Sequence, residues 1–158
     1  MIRITRETDY GIVLMTTMAR DATPPYSAAA LSKQRSLPLP MVSKILKALA
    51  RAGLLLSQRG ALGGYSLARQ PEEISAADII DALEGPIAIT ECSTADLHAC
   101  LHEENCAVSG HWHRINGAIR EALKNISLLE LSRPPATPVV IWRQRAGAEP
   151  VQSLLNNF

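Results

Sequence analysis

The stretch Leu39-Pro-Met-Val-Ser-Lys-Ile-Leu-Lys-Ala-Leu-Ala-Arg-Ala-Gly53, continued by Leu54-Leu-Leu-Ser-Gln-Arg-Gly-Ala-Leu-Gly-Gly-Tyr-Ser-Leu67, decides the fold. Val42, Ile45, Leu46 and Leu49 fall at i, i+3, i+4 and i+7, the stripe of a helix buried along one side. This predicts a helix over 40–52, with Gly53 where a helix-ending glycine belongs. The outward positions are Met41, Ser43, Lys44, Lys47, Ala48 and Arg51. Leu54 to Ser57 then reads as a strand and Tyr65 to Leu67 as its return, joined by the glycine-rich Gln58-Arg-Gly-Ala-Leu-Gly-Gly64. The glycines suit a tight hairpin needing positive φ. They do not make a phosphate loop, because no Lys-Ser/Thr follows and no helix opens there.

Upstream, Ser27 caps a short Ala-rich helix over 28–34, and a turn at Arg35-Ser-Leu-Pro38 separates it from the striped helix. Two helices around a tight turn, the second basic on its outer side and followed by a hairpin, make a winged helix-turn-helix. Residues 6–20 supply a further helix with Ile12, Val13, Leu14, Met15 and Met18 as its apolar face and Thr5 or Thr8 as its cap; the Asp21-Ala-Thr-Pro-Pro25 run stops it. Another amphipathic helix is expected over 74–83, opened by Ser75 and closed by Gly85-Pro86.

Charge divides along the chain. Residues 1–70 hold ten Lys/Arg against three Asp/Glu, and residues 71–158 hold six against twelve, which together give the net +1. A basic first half and an acidic second half fit a polyanion-binding module joined to something else. In that module Pro40, Met41, Ser43 and Lys44 are placed to reach base edges. Lys44, Lys47 and Arg51 are placed on phosphates, which supply most of the affinity. Arg59 at the hairpin is placed to enter the minor groove. A basic helix face taken alone is often only a solvated surface; the turn and the hairpin give it direction.

The second half is organised differently. Residues 87–106 read as irregular and hold all three cysteines, Cys92, Cys100 and Cys106. A long helix is expected from Ser109 to about Asn125, with Trp112, Ile115, Ile119, Ala122 and Ile126 spaced 3, 4, 3, 4. That is a heptad seam about 21 Å long. A second copy of the same helix is its natural partner, giving a homodimer through residues 109–126 that matches two half-sites on double-stranded DNA. The division expected is 1–84 for the winged helix, 85–108 for the cysteine loop, 109–132 for the dimerisation helix and a short helix after it, and 133–158 for a proline-rich tail. No targeting or membrane segment is read, so the protein is expected in the cytoplasm.

An odd number of clustered cysteines in a cytoplasmic protein points to metal or redox chemistry more than to disulfides. Their gaps match neither the paired spacing of zinc ribbons nor that of bacterial ferredoxins. Spacing alone leaves a metal or cluster site, redox thiols and ordinary cysteines open. Glu91, Asp96, His98, His102, Glu103, Glu104, His111 and His113 add further donors nearby.

The chain resembles the Rrf2 family of winged-helix iron–sulfur regulators over residues 1–132. The resemblance rests on Ile4-Thr-Arg-Glu-Thr-Asp-Tyr-Gly11, on Leu39 to Gly53, and on the Arg59-Gly-x-x-Gly-Gly-Tyr65 hairpin. It continues in the three cysteines, Trp112 and Asn125-Ile-Ser-Leu-Leu-Glu-Leu131. Ile89-Thr-Glu-Cys92 and Cys106-Ala-Val-x-x-x-Trp112 look most like regulators of Suf-type cluster assembly. The resemblance implies an iron–sulfur cluster on Cys92, Cys100 and Cys106, with [2Fe–2S] favoured over [4Fe–4S]. Some members place a histidine three residues after the third cysteine; that position is Ser109 here. Others use a first-helix aspartate from the other subunit, which corresponds to Asp9, ahead of His111, His113 or His102. A nearby glutamate in a related member leaves Glu7 as a further correspondence, while Asp9 also suits a helix start simply as a dipole-favoured carboxylate. The implied function is a transcription regulator sensing cluster status or redox and nitrosative stress, and not an enzyme. The alternatives are a zinc- or thiol-based regulator without a cluster, and an iron–sulfur carrier or enzyme that does not bind DNA.

Overall fold

The computed structural model describes residues 3–20, 25–60, 63–93, 100 and 106–134. It is mainly helical, with one two-stranded antiparallel hairpin. The order is α1 (Arg6–Arg20), α2 (Ala28–Arg35), α3 (Leu39–Arg51), β1 (Leu55–Gln58), β2 (Gly64–Leu67), a 3-10 turn (Pro71–Glu73), α4 (Ala76–Glu84), a second 3-10 turn (Glu91–Ser93), α5 (Ser109–Lys124) and α6 (Leu128–Ser132).

The stripe of α3 goes where its spacing sends it: Val42, Ile45, Leu46 and Leu49 are all fully buried. Around them pack Leu14, Met15 and Met18 of α1, Leu31 of α2, Ile79 of α4, and Leu54, Leu55, Ile74 and Leu128. The end of α3 is a Schellman motif. The Leu54 amide reaches Leu49 O at 3.0 Å, the Gly53 amide reaches Ala50 O at 3.1 Å, and Gly53 has φ 75°. The two ends of that loop, Leu49 and Leu54, meet inside the core, which turns the chain straight into β1.

The inner face of α1 is more polar than its hydrophobic pattern announces. Thr8, Gly11 and Thr17 are buried alongside Leu14, Met15 and Met18, while Ile12 packs only at the edge. Thr17 Oγ1 donates to Val13 O at 2.6 Å and accepts from Arg35 Nε at 2.6 Å, so burial leaves it satisfied. Thr5 caps the helix through its hydroxyl to the Thr8 amide. The Thr5 amide and the Thr8 hydroxyl in turn hold the Glu84 carboxyl below its ordinary range, fastening α1 to the end of α4. A Cβ at Gly11 would lie 2.3 Å from Leu83 Cδ1, so glycine allows α1 to sit directly on α4.

Two isolated backbone bridges close the domain. Tyr26 and Tyr65 exchange both hydrogen bonds at 2.8 Å, adding one residue of a third strand beside β2. Ser75 and Ser127 form the other: the Ala76 amide reaches Ile126 O at 2.8 Å and the Leu128 amide reaches Ile74 O at 2.7 Å. The chain after α5 thus returns to the winged helix, and α6 packs on α1 with Leu128 fully buried.

The hairpin glycines serve two purposes rather than the single one expected. Gly60 does take a positive φ of 114°. A Cβ at Gly63 would lie 2.3 Å from Gln58 O, and one at Gly64 would lie 2.5 Å from Tyr26 O. Those two positions are glycine because other backbone crowds them, not because of their own dihedrals.

The turn between α2 and α3 rests on Ser36, held at φ 53° and ψ 39°. It is the only non-glycine residue at positive φ among the described residues. A left-handed L-residue costs roughly 1–2 kcal/mol, which glycine largely avoids. Ser36→Gly is expected to raise unfolding free energy by about 1 kcal/mol in denaturant titrations, with the slope unchanged. A loss of stability would show that the serine side chain holds the turn.

Candidate nucleic-acid interface and cysteine centre

The first turn of α3 has no side-chain cap and begins Leu39-Pro40, so it projects from the domain with its leading residues exposed. Pro40, Lys44, Lys47 and Arg51 are exposed, whereas Ser43 is half-buried. Met41, expected on the outer face, leans half-buried on the core. Between α3 and the hairpin runs a groove of about 330 Å³ lined by Lys44, Lys47, Ala50, Arg51, Ser57 and Tyr65. Three cations therefore line one concave surface whose two walls are the helix and the wing. Arg59 is exposed immediately after β1, and the adjoining residues 61 and 62 lie outside the described set. The arrangement can hold a phosphate backbone along the groove with the helix start directed into a major groove.

Lys44 is the exception to a freely presented cation. Its Nζ donates to Glu7 Oε2 at 2.7 Å, in an ion pair reaching from α3 to the first turn of α1.

The three cysteines are all free thiols. Cys92 is buried in the Glu91–Ser93 turn, 3.2 Å from Thr90 Oγ1, which also shares a hydrogen bond with Ser93 Oγ at 2.8 Å. Cys100 and Cys106 are half-buried. Both flanks of the cysteine segment hang from α5. Asn116, buried on that helix, accepts from the Ile89 amide at 3.2 Å and donates to Ile87 O at 3.0 Å. At the other end, the Ser109 hydroxyl donates to Cys106 O at 3.1 Å. Ser109, three residues after the third cysteine, is thus a helix-start hydrogen-bond donor. His111 and His113 are exposed in the first turns of α5, and Asp9 is exposed in the first turn of α1. Among the described residues no three His, Cys, Asp or Glu side chains gather in a metal-binding group. His98, His102, Asp96, Glu103 and Glu104 lie outside those residues. As a donor set, three thiolates suit an iron–sulfur cluster or another soft metal.

Among the described residues the seam of α5 is only partly covered. Trp112 is 38% and Ile115 44% exposed, Ala122 is exposed, and Ile119 and Ile126 are half-buried. The helix is attached through Asn116 and through an Arg120–Asp81 ion pair at 2.8 Å.

A family model described as Rrf2, iron-dependent transcriptional regulator, matches residues 4–134. The chain belongs to the Rrf2 family. It is 33% identical over 132 residues to the transcriptional regulator CymR of Bacillus subtilis, covering 83% of this chain and 90% of that one. It is 27% identical over 157 residues to the regulator IscR of Aliivibrio salmonicida, covering 99% and 92%. The solved structure of B. subtilis CymR, described as that organism's global cysteine regulator, superposes with a TM-score of 0.62 at 29% identity over 84% of this chain and 97% of that one. T. potens IscR superposes at 0.60 and 26% identity over 82% and 85%. The Rrf2 match makes the protein a DNA-binding transcription regulator with a winged-helix fold, and its relatives are regulators rather than enzymes. Among the described residues no helix is long and apolar enough to cross a membrane.

Sequence reasoning missed Glu7 as part of the reading surface, Thr90 beside Cys92, and Asn116 as the anchor of the cysteine segment. Glu7 and Lys44 are 37 residues apart, with no local pattern to link them. Asn116 carried a signal: it is an amide placed one residue after a seam position on an otherwise solvent-facing helix.

If the groove carries phosphates, Lys47→Ala and Arg51→Ala should each weaken binding to any duplex. Each should flatten the slope of log affinity against log salt by about 1. Fluorescence anisotropy across a salt series measures both quantities, and unchanged slopes would remove the groove from the interface.

Proposed function

We propose that this Rrf2 regulator binds double-stranded operator DNA as a homodimer and senses an iron–sulfur cluster held by Cys92, Cys100 and Cys106. Asp9 of the partner subunit is the fourth ligand, ahead of His111, His113 and His102. The regulated genes are those of cluster assembly, and the signal is cluster supply or redox and nitrosative stress. Such a protein works in the cytoplasm.

The observation that carries the reading is the suspension of the cysteine segment from α5. Cys92 and Cys106 begin and end a stretch whose flanks are both hydrogen-bonded to that helix, and α5 also bears the partly covered seam. The iron-dependent description of the family supports the metal. Pro40, Met41, Ser43 and Lys44 would meet base edges, Lys47 and Arg51 phosphates, and Arg59 the minor groove. When bound, a cluster supplies a redox-sensitive and nitric-oxide-sensitive knot of iron and sulfide. Cys92, Cys100 and Cys106 would hold the cluster next to α5, and Asp9 of the partner subunit would join it to the first helix of the opposite reading domain. Without those ligands the two domains would be less tightly coupled. Half-sites on one face of DNA lie about 34 Å apart, so small rotations change the match.

A second reading drops the cluster and keeps the DNA. Likeness to a regulator described by its relation to cysteine favours it, with the thiols acting by zinc binding or oxidation.

Protein purified without oxygen is expected to be brown, with iron and acid-labile sulfide in stoichiometric amounts. Cys92→Ala, Cys100→Ala and Cys106→Ala should each abolish the colour, and Asp9→Ala should alter the visible and paramagnetic spectra. Protein that stays colourless after reconstitution with iron and sulfide would overturn the cluster, and bound zinc would then select the second reading. For the dimer, Ile115→Glu is expected to shift sedimentation from two chains to one; an unchanged dimer would place the interface elsewhere.

A further inference from the structure

The ion pair between Glu7 and Lys44 lies on the surface just assigned to DNA. We propose that Glu7 is a specificity-determining residue: its carboxylate withholds Lys44 from phosphate on non-cognate DNA. The inference rests on the reading surface proposed above, but not on the cluster.

The two partners are unequal. Lys44 is 67% exposed at its side chain, whereas Glu7 is 24% exposed. The carboxylate is therefore the more enclosed member, set by α1 against the domain, and the lysine is the one more open to solvent. Lys44 lines the groove together with Lys47 and Arg51. Among the described residues, Lys44 is the one of these three cations paired with an anion, and that anion comes from another helix. An exposed pair of this kind contributes little to stability. Its effect on a polyanion is larger, because one negative charge at 2.7 Å cancels the field that Lys44 would present to phosphate. Each neutralised cation subtracts about one counterion from those released on binding.

Non-specific affinity depends almost entirely on such phosphate contacts, while cognate affinity adds base contacts that can draw Lys44 away from Glu7. Masking one cation thus weakens binding to random sequence more than binding to the operator. The specificity ratio rises, and that ratio governs occupancy when competing sites are numerous. Because Glu7 belongs to α1, a movement of that helix also moves the brake.

The test uses the full chain and a duplex of random sequence. Glu7→Gln is expected to raise affinity about fivefold, the effect of one unit charge at about 4 Å in water. It should also steepen the salt slope by about 1. In a Lys44→Ala background the same substitution should change neither quantity beyond a small uniform charge effect. An equal gain in that background would reduce Glu7 to a general surface charge, and a loss of affinity would make it a DNA contact or a support for α3; each overturns the proposal. Thermal unfolding of every variant checks that the fold is intact. Lys47→Ala and Arg51→Ala serve as controls: if they leave binding unchanged, the reading surface itself fails. If they weaken binding while Glu7→Gln is silent, the brake alone fails.

Discussion

The burial of Val42, Ile45, Leu46 and Leu49 is the constraint on which the remaining structure depends. Each fully buried aliphatic side chain contributes roughly 1.5–3 kcal/mol, and these four come from a single 13-residue helix. Their direction fixes α3 about its axis, so the outward side is decided as the complement of the core. Lys44, Lys47 and Arg51 face solvent because the stripe leaves them no other side. The Schellman turn at Gly53 carries the same constraint forward, since Leu49 and Leu54 close it from inside the core and thereby aim β1 and the wing. Helix and wing become two walls of one groove through a single packing decision.

Helix α5 is held by polar contacts instead. Asn116 is the one buried residue of α5, and it is an amide. It braces the backbone at 87 and 89, while Arg120 grips Asp81 on α4. Among the described residues this 16-residue helix buries little apolar surface of its own. Hydrogen bonds set the direction of the helix, while Trp112 and Ile115 on its apolar side are exposed among the described residues. The Ser75–Ser127 bridge then returns the chain to the core, so that α5 is tethered at both ends.

Elements whose cause is local were legible in the sequence. Helix periodicity, the Ser27 and Ser75 caps, the glycine stop after α3 and the wing all lie within one or two residues of the positions their patterns predict. The turn at Ser36 was read as a turn, though not as a left-handed serine, because nothing in its type announces that dihedral. What escaped was non-local. The Tyr26–Tyr65 bridge joins residues whose neighbours carry no shared pattern, and it alone explains the glycine at 64. Thr8 was read only as a possible cap and Thr17 as no part of the apolar face, yet both are buried, with Thr5 and Arg35 hydrogen-bonded to their hydroxyls. At the candidate site the cationic face was readable from spacing, whereas the carboxylate opposing it was not. The cysteines were visible as a cluster in sequence, but their grouping in space depends on residues 94–99 and 101–105, which lie outside the described set.

The position of α1 links the recognition helix to the later part of the chain. It packs against α3, α4 and α6, so it touches the recognition helix, the helix that carries α5 and the segment that follows α5. Its first turn presents Glu7 toward Lys44 and leaves Asp9 exposed two residues on. Successive helical positions are about 100° apart, so residues separated by two point to different sides. One turn therefore pairs one carboxylate with the recognition helix and leaves the other in solvent. Glycine at position 11 lets α1 lie directly against Leu83 of α4, so the helix that carries Glu7 is seated on the helix that Arg120 of α5 also grips.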